Sequence, residues 1–147
     1  MAFDFTGKRV VVCGGSRGIG RSIALGFAAA GAGVSICARG EEGLKTTAAE
    51  IAAHGVTTHF APCDLADGTA IAGYIPAAAR ALGGIDVLVN NASGFGMGDT
   101  EDGWAKGLEV DIMATVRASH AARTFLENSK GASIVNIASI SGYRPSI

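Results

Sequence analysis

The clearest chemical signal in the sequence is a glycine-rich stretch near the amino terminus, residues 13–20, with the sequence CGGSRGIG. Three valines at 10–12 precede it and an apolar helical pattern follows it, so the stretch is predicted to join a buried strand to a helix. Such a turn presents unpaired backbone N–H groups and the positive end of a helix to a phosphate. Gly14, Gly18 and Gly20 would permit the sharp turn, the close approach of the phosphate and the tight packing of helix on strand. A purely structural glycine turn is the alternative.

Two arginines lie where a dinucleotide would be distinguished from its 2′-phosphorylated form. Arg17 lies in the first turn, next to Ser16, and Arg39 follows the second predicted strand. An acidic residue at this place usually binds the ribose hydroxyls of NAD, whereas a guanidinium matches the 2′-phosphate of NADP. The pattern therefore favours NADP over NAD. The alternatives are a solvated surface arginine at 39, or a ribose-binding acid at Glu41 or Glu42 if the strand ends later.

Polar side chains also follow the other predicted strands. Asp64 follows the third strand, where its carboxylate could accept a hydrogen bond from an adenine amino group or cap the next helix near Asp67. Asn90 and Asn91 follow the fourth strand, and their amides could join neighbouring strands as well as line a pocket. Ser139 follows the fifth strand, where its hydroxyl could meet a substrate oxygen or serve ordinary turn chemistry.

Strands and helices alternate along the whole chain, and this alternation predicts the fold. The strand segments are continuously apolar, which is typical of a parallel sheet covered by helices on both faces. Right-handed crossovers then predict one Rossmann-like, doubly wound α/β domain over 1–147, with strand order 3-2-1-4-5. The predicted strands are 10–12, 34–38, 56–61, 85–89 and 134–138.

Apolar residues at helical spacing predict the buried face of each helix. Thr100 is predicted to cap the long fourth helix. Pro76 lies inside the third pattern, so we expect either a kink or a later start of that helix. The predicted buried faces consist of Ile19, Ile23, Phe27 and Ala30; of Leu44, Ala48, Ile51 and Ala52; of Ile71, Ile75, Ala78 and Leu82; and of Trp104, Leu108, Ile112, Thr115, Ser119, Ala122 and Leu126.

The composition excludes several classes of protein. With 147 residues, 48% hydrophobic residues and 22 glycines, the chain is typical of one compact domain. A net charge of −1 favours neither nucleic acid nor an anionic membrane surface, and no segment has the ~18–20 apolar residues of a membrane span. The three separated cysteines and the absence of an export signal predict a cytoplasmic protein with reduced, buried thiols. The three histidines lack ligand spacing, so no metal site is expected.

Together, the motifs at 13–20, 90–93 (NNAS) and 134–139 (IVNIAS) resemble the classical short-chain dehydrogenase/reductase family, over the whole chain. The resemblance implies a homo-oligomeric enzyme that binds NAD(P) and transfers hydride between the nicotinamide and a small carbonyl or alcohol substrate. It implies catalytic roles for Ser139, which would bond the substrate oxygen, and for Asp111, which occupies the place of an asparagine that helps hold a proton-relay water. The cofactor-binding residues predicted from these motifs and from the positions that follow the strands are Gly14, Ser16, Arg17, Gly18, Ile19, Gly20, Arg39, Asp64, Leu65, Asn90 and Ala92.

Three residues depart from the family pattern. Cys13 replaces the usual threonine of the glycine turn, and Ser93 replaces the glycine of the strand-4 motif. Asp111 replaces the asparagine, and an ionised carboxylate accepts hydrogen bonds but donates none. Because Asp111 cannot donate a hydrogen bond as asparagine would, this substitution puts the proton relay in doubt.

The catalytic Y-x-x-x-K motif of the family is expected well beyond Ser139. Tyr143 is too close to Ser139 and is followed four residues later by Ile147 rather than lysine, so Tyr143 is predicted to be a loop residue. We therefore expect the chain to be the N-terminal portion of a longer reductase, truncated after the fifth strand and inactive without that tyrosine and lysine. A non-catalytic nucleotide-binding module and an unstable structural fragment are the alternatives.

Overall fold

A computed structural model of the chain describes residues 3–96 and 98–139. Within these residues, five strands form one sheet and helices cover both of its faces. The strands are β1 (Arg9–Cys13), β2 (Gly33–Ala38), β3 (Thr58–Pro62), β4 (Val87–Asn90) and β5 (Ser133–Asn136). The helical elements are α1 (Gly18–Ala29), α2 (Glu41–Ala52), α3 (Gly68–Leu82), α4 (Glu101–Lys106), a π-helical segment (Gly107–Met113) and α5 (Ala114–Glu127).

The strand order is β3-β2-β1-β4-β5, and every pair of neighbouring strands is parallel. This result confirms the predicted doubly wound sheet. The central strand β1 is buried on both faces, because Val10 and Val12 point into the core beneath α1 and α2 while Val11 points into the core beneath α3 and α5. Because all neighbouring strands are parallel, the carboxyl ends of all five strands lie at one edge of the sheet.

Three strand ends decide where site residues lie. Strand β2 ends at Ala38 as predicted, so Arg39 follows it directly and Glu41 and Glu42 belong to the first turn of α2. Strand β4 includes Asn90, so the prediction that this residue follows the strand is wrong by one position. Strand β5 ends at Asn136, two residues earlier than predicted.

The predicted buried face of α1 is wrong by about one residue. Ile19 is 63% exposed, and the residues that α1 buries are Gly20, Ala24 and Ala28. These small residues let the helix axis approach the sheet, so the larger side chains Ile23 and Phe27 pack only at its flanks.

The other predicted faces are closer to the structure. In α2, Leu44, Ala48 and Ile51 are buried as predicted, but Ala52 is exposed and Thr47 is buried instead. In α3, Ile71, Ile75 and Ala78 are buried as predicted and Leu82 is half-buried, while Tyr74 and Ala79 join the buried face.

The long helix differs most from the prediction. Trp104, Leu108 and Ile112 are exposed, whereas Ala122 and Leu126 are buried as predicted and α5 also buries Ala114 and Ala118. A π-helical segment separates α4 from α5, none of its residues is buried, and its wider turns interrupt the regular α-helical spacing. A stripe drawn at regular α-helical spacing therefore cannot stay on one face.

Two helix starts can be compared with their sequence signals, those of α4 and α3. The side chain of Thr100 accepts a hydrogen bond from Gly103 N, which confirms the predicted cap. Helix α3 begins at Gly68 and runs through Pro76, so the expected later start is wrong. No helix among the described residues is both long enough and apolar enough to cross a membrane.

Candidate functional site

The glycine turn has a backbone that larger residues cannot adopt. Gly14 and Gly18 have φ angles of +89° and +57°. A Cβ atom on Gly20 would lie 2.0 Å from the carbonyl oxygen of Gly14 and 2.4 Å from Asn91 Nδ2. Gly15, which the motif alone does not single out, is equally constrained, because its Cβ would lie 2.6 Å from a methyl carbon of Ile36. Only the packing of β2 against the turn shows this requirement.

Neighbouring elements hold the turn in place. The amides of Gly14 and Gly15 both donate to the carbonyl oxygen of Cys37, at 2.9 and 3.0 Å. Asn91 Nδ2 donates to the carbonyl oxygen of Gly14 at 2.9 Å, and the buried Thr47 Oγ1 donates to that of Ser16 at 3.3 Å. The first two amides of the turn are therefore used by the sheet, and the amides from Ser16 onward remain for a ligand.

Helix α1 begins without a cap. Its N-cap residue is Arg17, no side chain accepts from its first amides, and its first turn contains no acidic residue. The first N–H groups of a helix have no intrahelical acceptor, and the helix dipole makes this end positive. By contrast, α3 is capped by Asp67, and α2 has two glutamates in its first turn. The start of α1 is thus suited to an anion such as a diphosphate, and the glycines of the tight turn before it leave the backbone accessible.

Arg17 and Arg39 lie at the same edge of the sheet, because they follow neighbouring strands whose residues Cys13 and Cys37 are in register. Both side chains are exposed. Neither guanidinium forms an ion pair or a hydrogen bond with another residue in the described part of the chain, whereas Arg21 is paired with Glu50. Two positive charges are therefore available near the turn.

The segment after β3 decides whether Asp64 caps the following helix. Asp64 Oδ1 accepts from Ala66 N at 3.0 Å, and the helix cap is Asp67, whose Oδ1 accepts from Thr69 N at 2.8 Å. The capping alternative for Asp64 is therefore wrong, and the adenine-binding role stays a prediction. Leu65 buries its side chain in the core beneath α3 and α5.

The two asparagines at the carboxyl end of β4, Asn90 inside the strand and Asn91 just after it, connect this strand to its neighbours. Asn90 is 6% exposed, and its Nδ2 donates to Asn136 Oδ1 at 2.9 Å and to Ser119 Oγ at 3.4 Å. The adjacent Asn91 reaches the glycine turn through Gly14, as described above. The structure thus shows the strand-joining role that the sequence allowed, and it places both amides beneath the candidate site.

Asp111 lies in the π-helical segment and contacts the loop that follows β4. Its Oδ1 accepts from Gly94 N at 2.9 Å. In the same loop, Ser93 Oγ accepts from Phe95 N at 3.1 Å, and Ala92 packs against Gly14. Asp111 therefore holds the loop against the helix. Short π-helical segments inside longer helices occur often at functional sites.

Ser139 is exposed and lies three residues beyond the end of β5, at the edge where the other candidate residues gather. Tyr143, predicted to be a loop residue, lies outside the described residues.

The three cysteines are buried, as predicted, and none of them forms a disulfide bond. Burial raises the pKa of Cys37 well above its ordinary value, and a hydrogen bond with Cys37, together with burial, raises the pKa of Cys63. Cys37 and Cys63 therefore stay protonated, and all three cysteines serve as small core residues. Among residues 3–96 and 98–139, no group of three or more His, Cys, Asp or Glu side chains is placed to hold a metal ion.

Comparisons of the sequence with a family profile and with known proteins point to the same family. The sequence profile of the family described as short chain dehydrogenase matches residues 8–147. The isoepoxydon dehydrogenase of Aspergillus clavatus is 33% identical over 148 residues, which cover 97% of this chain and 56% of that protein. The chain thus spans little more than half the length of this relative.

Two solved structures share the fold. A short chain dehydrogenase from Burkholderia cenocepacia in complex with NADP has a TM-score of 0.91 and 37% identity, covering 97% of this chain and 59% of that one. An NAD⁺-bound xylitol dehydrogenase has a TM-score of 0.91 and 26% identity, covering 97% of this chain and 56% of that one. From the family profile, the aligned relatives and the shared parallel sheet, we conclude that this chain belongs to the short-chain dehydrogenase family.

Proposed function

We propose that the chain is the cofactor-binding part of an NADP-dependent oxidoreductase that transfers hydride between the nicotinamide and a carbonyl or alcohol carbon of a small molecule. The observation that carries this proposal is the uncapped start of α1 above a glycine turn that admits no side chain at Gly20. By the family resemblance, the protein would act as a homo-oligomer in the cytoplasm.

The phosphate groups would be bound by this chain's backbone and by the guanidinium groups of Arg17 and Arg39. The amides from Ser16 to Gly20 would donate to the diphosphate, with Ile19 exposed beside them. Arg39, with Arg17, would form charge-assisted hydrogen bonds to the 2′-phosphate. The related structures include one with NADP and one with NAD⁺, so the preference for NADP rests on these two arginines.

The remaining predicted contacts lie along the same edge. Asp64 would accept from the adenine amino group, with Leu65 supplying only backbone contacts because its side chain is in the core. Asn90 and Ala92 would line the pocket from the end of β4, although the amide of Asn90 already bonds to β5.

At the reacting end, the bound cofactor would supply or accept the hydride. The hydroxyl of Ser139 would donate a hydrogen bond to the substrate carbonyl oxygen and so stabilise the negative charge that develops there. Asp111 would orient the loop through Gly94, and any water at its carboxylate would have to donate to it. No residue of 1–147 matches the family's Y-x-x-x-K motif, so we expect this chain alone to bind the cofactor without turning substrate over.

Replacement of Arg39 by aspartate tests the cofactor preference. Arg39→Asp should weaken NADPH binding by about 10–100-fold, because a charge-assisted hydrogen bond is worth ~1.5–3 kcal/mol, and should weaken NADH binding far less. The measurement is a titration of each cofactor followed by nicotinamide fluorescence. Arg80→Asp is the matched control, since Arg80 is exposed in the last turn of α3, at the opposite edge of the sheet. Equal losses for NADPH and NADH would remove the reason for preferring NADP.

The second candidate is a nucleotide-binding module without catalysis, which the absence of a Y-x-x-x-K motif from residues 1–147 favours. The two candidates differ in one assay on the full-length gene product. NADPH consumption with a panel of ketones supports the oxidoreductase, whereas binding without consumption supports the module.

A further inference from the structure

Two adjacent threonines of α2, Thr46 and Thr47, bond to different parts of the molecule. Thr46 is exposed, and its Oγ1 donates to the carbonyl oxygen of Glu42 at 3.1 Å, one turn back in the same helix. This is the usual partner of a threonine hydroxyl inside a helix. Thr47 is fully buried, and its Oγ1 donates instead to the carbonyl oxygen of Ser16 in the glycine turn, at 3.3 Å. Thr47 therefore joins α2 to the turn, whereas Thr46 does not.

The first turn of α2 lies against the same residue of the glycine turn. A Cβ atom on Gly43 would lie 3.3 Å from the Cβ atom of Ser16 and 3.4 Å from its carbonyl oxygen. Gly43 precedes Thr47 by four residues, so the two lie on one face of α2. The absence of a side chain at Gly43 thus lets the helix come close enough for the hydroxyl of Thr47 to reach the turn.

The hydrogen bond to Ser16 also fixes the direction of the next amide. In a trans peptide, the carbonyl oxygen and the N–H that follows it point in opposite directions. At the start of the turn, the carbonyl oxygen of Gly14 accepts from Asn91, after β4, while the next amide donates to β2, on the opposite side of β1. By the same geometry, a Ser16 carbonyl that points to α2 directs the N–H of Arg17 away from α2.

The amide of Arg17 is one of those that remain for a ligand. Arg17 is the N-cap residue of α1, and its N–H donates to no acceptor among the residues that the structure describes. A donor whose direction is already fixed has less freedom to lose when an anion binds, so holding this peptide in place favours binding.

We propose that Thr47 is a positioning residue for cofactor binding, because its hydroxyl holds the peptide between Ser16 and Arg17 in the orientation that directs the Arg17 N–H to the diphosphate. The inference rests on the proposed function, which assigns the diphosphate to the amides of this turn. Thr47 lies outside the glycine motif and is 31 residues from Ser16, so no local spacing relates the two. Because NADP and NAD share the diphosphate, Thr47 should support the binding of both to the same extent.

Two substitutions separate the hydroxyl of Thr47 from its packing. Thr47→Val keeps the branched shape of the side chain but removes the hydroxyl, whereas Thr47→Ser keeps the hydroxyl and removes the methyl group. Thr47→Val should weaken the binding of NADPH and of NADH by the same factor, about 3–10-fold, the range expected for one neutral hydrogen bond. Thr47→Ser should restore most of the affinity. The measurement is a titration of the full-length gene product with each cofactor, followed by nicotinamide fluorescence.

Thr46→Val is the matched control, since it removes a hydroxyl from the adjacent position of the same helix without altering a contact to the turn. It should leave both affinities unchanged. In ¹⁵N–¹H correlation spectra of the unligated, labelled chain, the amide resonance of Arg17 should move in Thr47→Val and stay in place in Thr46→Val, because only the first substitution releases the Ser16 peptide. Circular dichroism verifies that each variant is folded.

The outcomes separate this inference from the proposed function. If the wild type binds NADPH and Thr47→Val binds it equally well, or if Thr47→Ser loses as much affinity as Thr47→Val, the hydroxyl does not position the turn and the inference is wrong. A loss confined to NADPH would mean that the substitution acts through Arg39, just before α2, and would overturn the inference as well. Failure of the wild type to bind either cofactor contradicts the proposed function itself.

Discussion

Asp86 supports the far end of the sheet from the candidate site. It is 4% exposed, and its carboxylate accepts from Arg9 Nε at 2.7 Å, from Arg9 Nη2 at 2.8 Å and from Arg9 N at 2.9 Å. Ser129 Oγ donates to the same carboxylate at 2.5 Å. The hydrogen bonds from Arg9 hold the pKa of Asp86 well below its usual range. This network joins β1 to the start of β4 and to the end of α5.

Asp86→Asn should lower the free energy of unfolding by roughly 2–4 kcal/mol at pH 7, because it leaves the half-buried guanidinium of Arg9 without its charge partner. In the wild type, the contribution of Asp86 is fully present above its unfolded pKa of ~3.9 and is lost as the pH falls toward the folded pKa. Urea unfolding between pH 7 and pH 3 measures both effects. Glu127→Gln, which breaks an exposed ion pair with Arg123, is the control and should change little. A similar loss in both variants would contradict the account.

The free energy of unfolding should depend on pH through the half-buried side chain of His59. Its Nδ1 lies 2.9 Å from Ser35 Oγ, which lies 2.8 Å from Tyr74 Oη in the core, and burial lowers the pKa of His59. The unfolded chain therefore takes up the proton more readily than the folded one, so stability falls as the pH drops below ~6.5. We expect the loss of stability between pH 7.5 and pH 5.5 in urea unfolding to be smaller in His59→Gln than in the wild type. The exposed His54, as His54→Gln, is the control, and an unchanged loss in His59→Gln would contradict this role.

These residue-level networks could not be predicted from the sequence. Arg9 and Asp86 are 77 residues apart, and Ser35 and Tyr74 are 39 apart, so no local spacing relates them. Arg39 was accessible to prediction, because its position depends only on where β2 ends.

At the scale of elements, the junction of β1 and α1 sets the shape of the site. Gly20 lies in the first turn of α1 against Gly14 and Asn91, whereas Gly26 lies further along the same helix, where an added Cβ atom would meet nothing within 4 Å. The two glycines therefore differ in packing rather than in helix membership.

Gly20→Ala should destabilise the chain by about 1–3 kcal/mol through overpacking and should abolish cofactor binding, because the turn must shift to admit the methyl group. Gly26→Ala should stabilise the chain by about 0.5–1 kcal/mol and leave binding unchanged. Thermal unfolding and NADPH titration measure both quantities. If the two substitutions have equal effects, the packing of Gly20 against Gly14 and Asn91 does not require glycine.

The elements show where sequence patterns are reliable. The glycine turn, the Thr100 cap and the end of β2 follow from local chemistry, and the structure agrees. The buried face of α1 does not follow, because Gly20, Ala24 and Ala28 rather than larger residues face the sheet. The face of the long helix follows only in its second half, where Ala122 and Leu126 are buried, because a π-helical segment interrupts the regular spacing before it. Residue size and helix regularity depend on the partner surface, which a single sequence does not contain.

At the scale of the whole molecule, the order of elements determines which residues can meet. Alternating strands and helices fix a parallel sheet, and a parallel sheet brings the ends of β1, β2, β3 and β4 to one edge. The sequence therefore predicted which residues gather at that edge. It could not predict how closely the loop after β4 packs on the helix, where a Cβ atom on Gly94 would lie 2.3 Å from the carbonyl oxygen of Lys106.

The most direct test of the account is the response of individual backbone amides to NADPH, measured by ¹⁵N–¹H correlation spectra of the labelled chain during a titration. The account predicts saturable shifts that are largest for the amides of Ser16–Gly20, with the amides of Gly14 and Gly15 less affected because they already donate to Cys37. Saturable binding that leaves Ser16–Gly20 unchanged, or no binding of NADPH at all, would contradict the central claim that this turn holds the diphosphate of a nicotinamide cofactor.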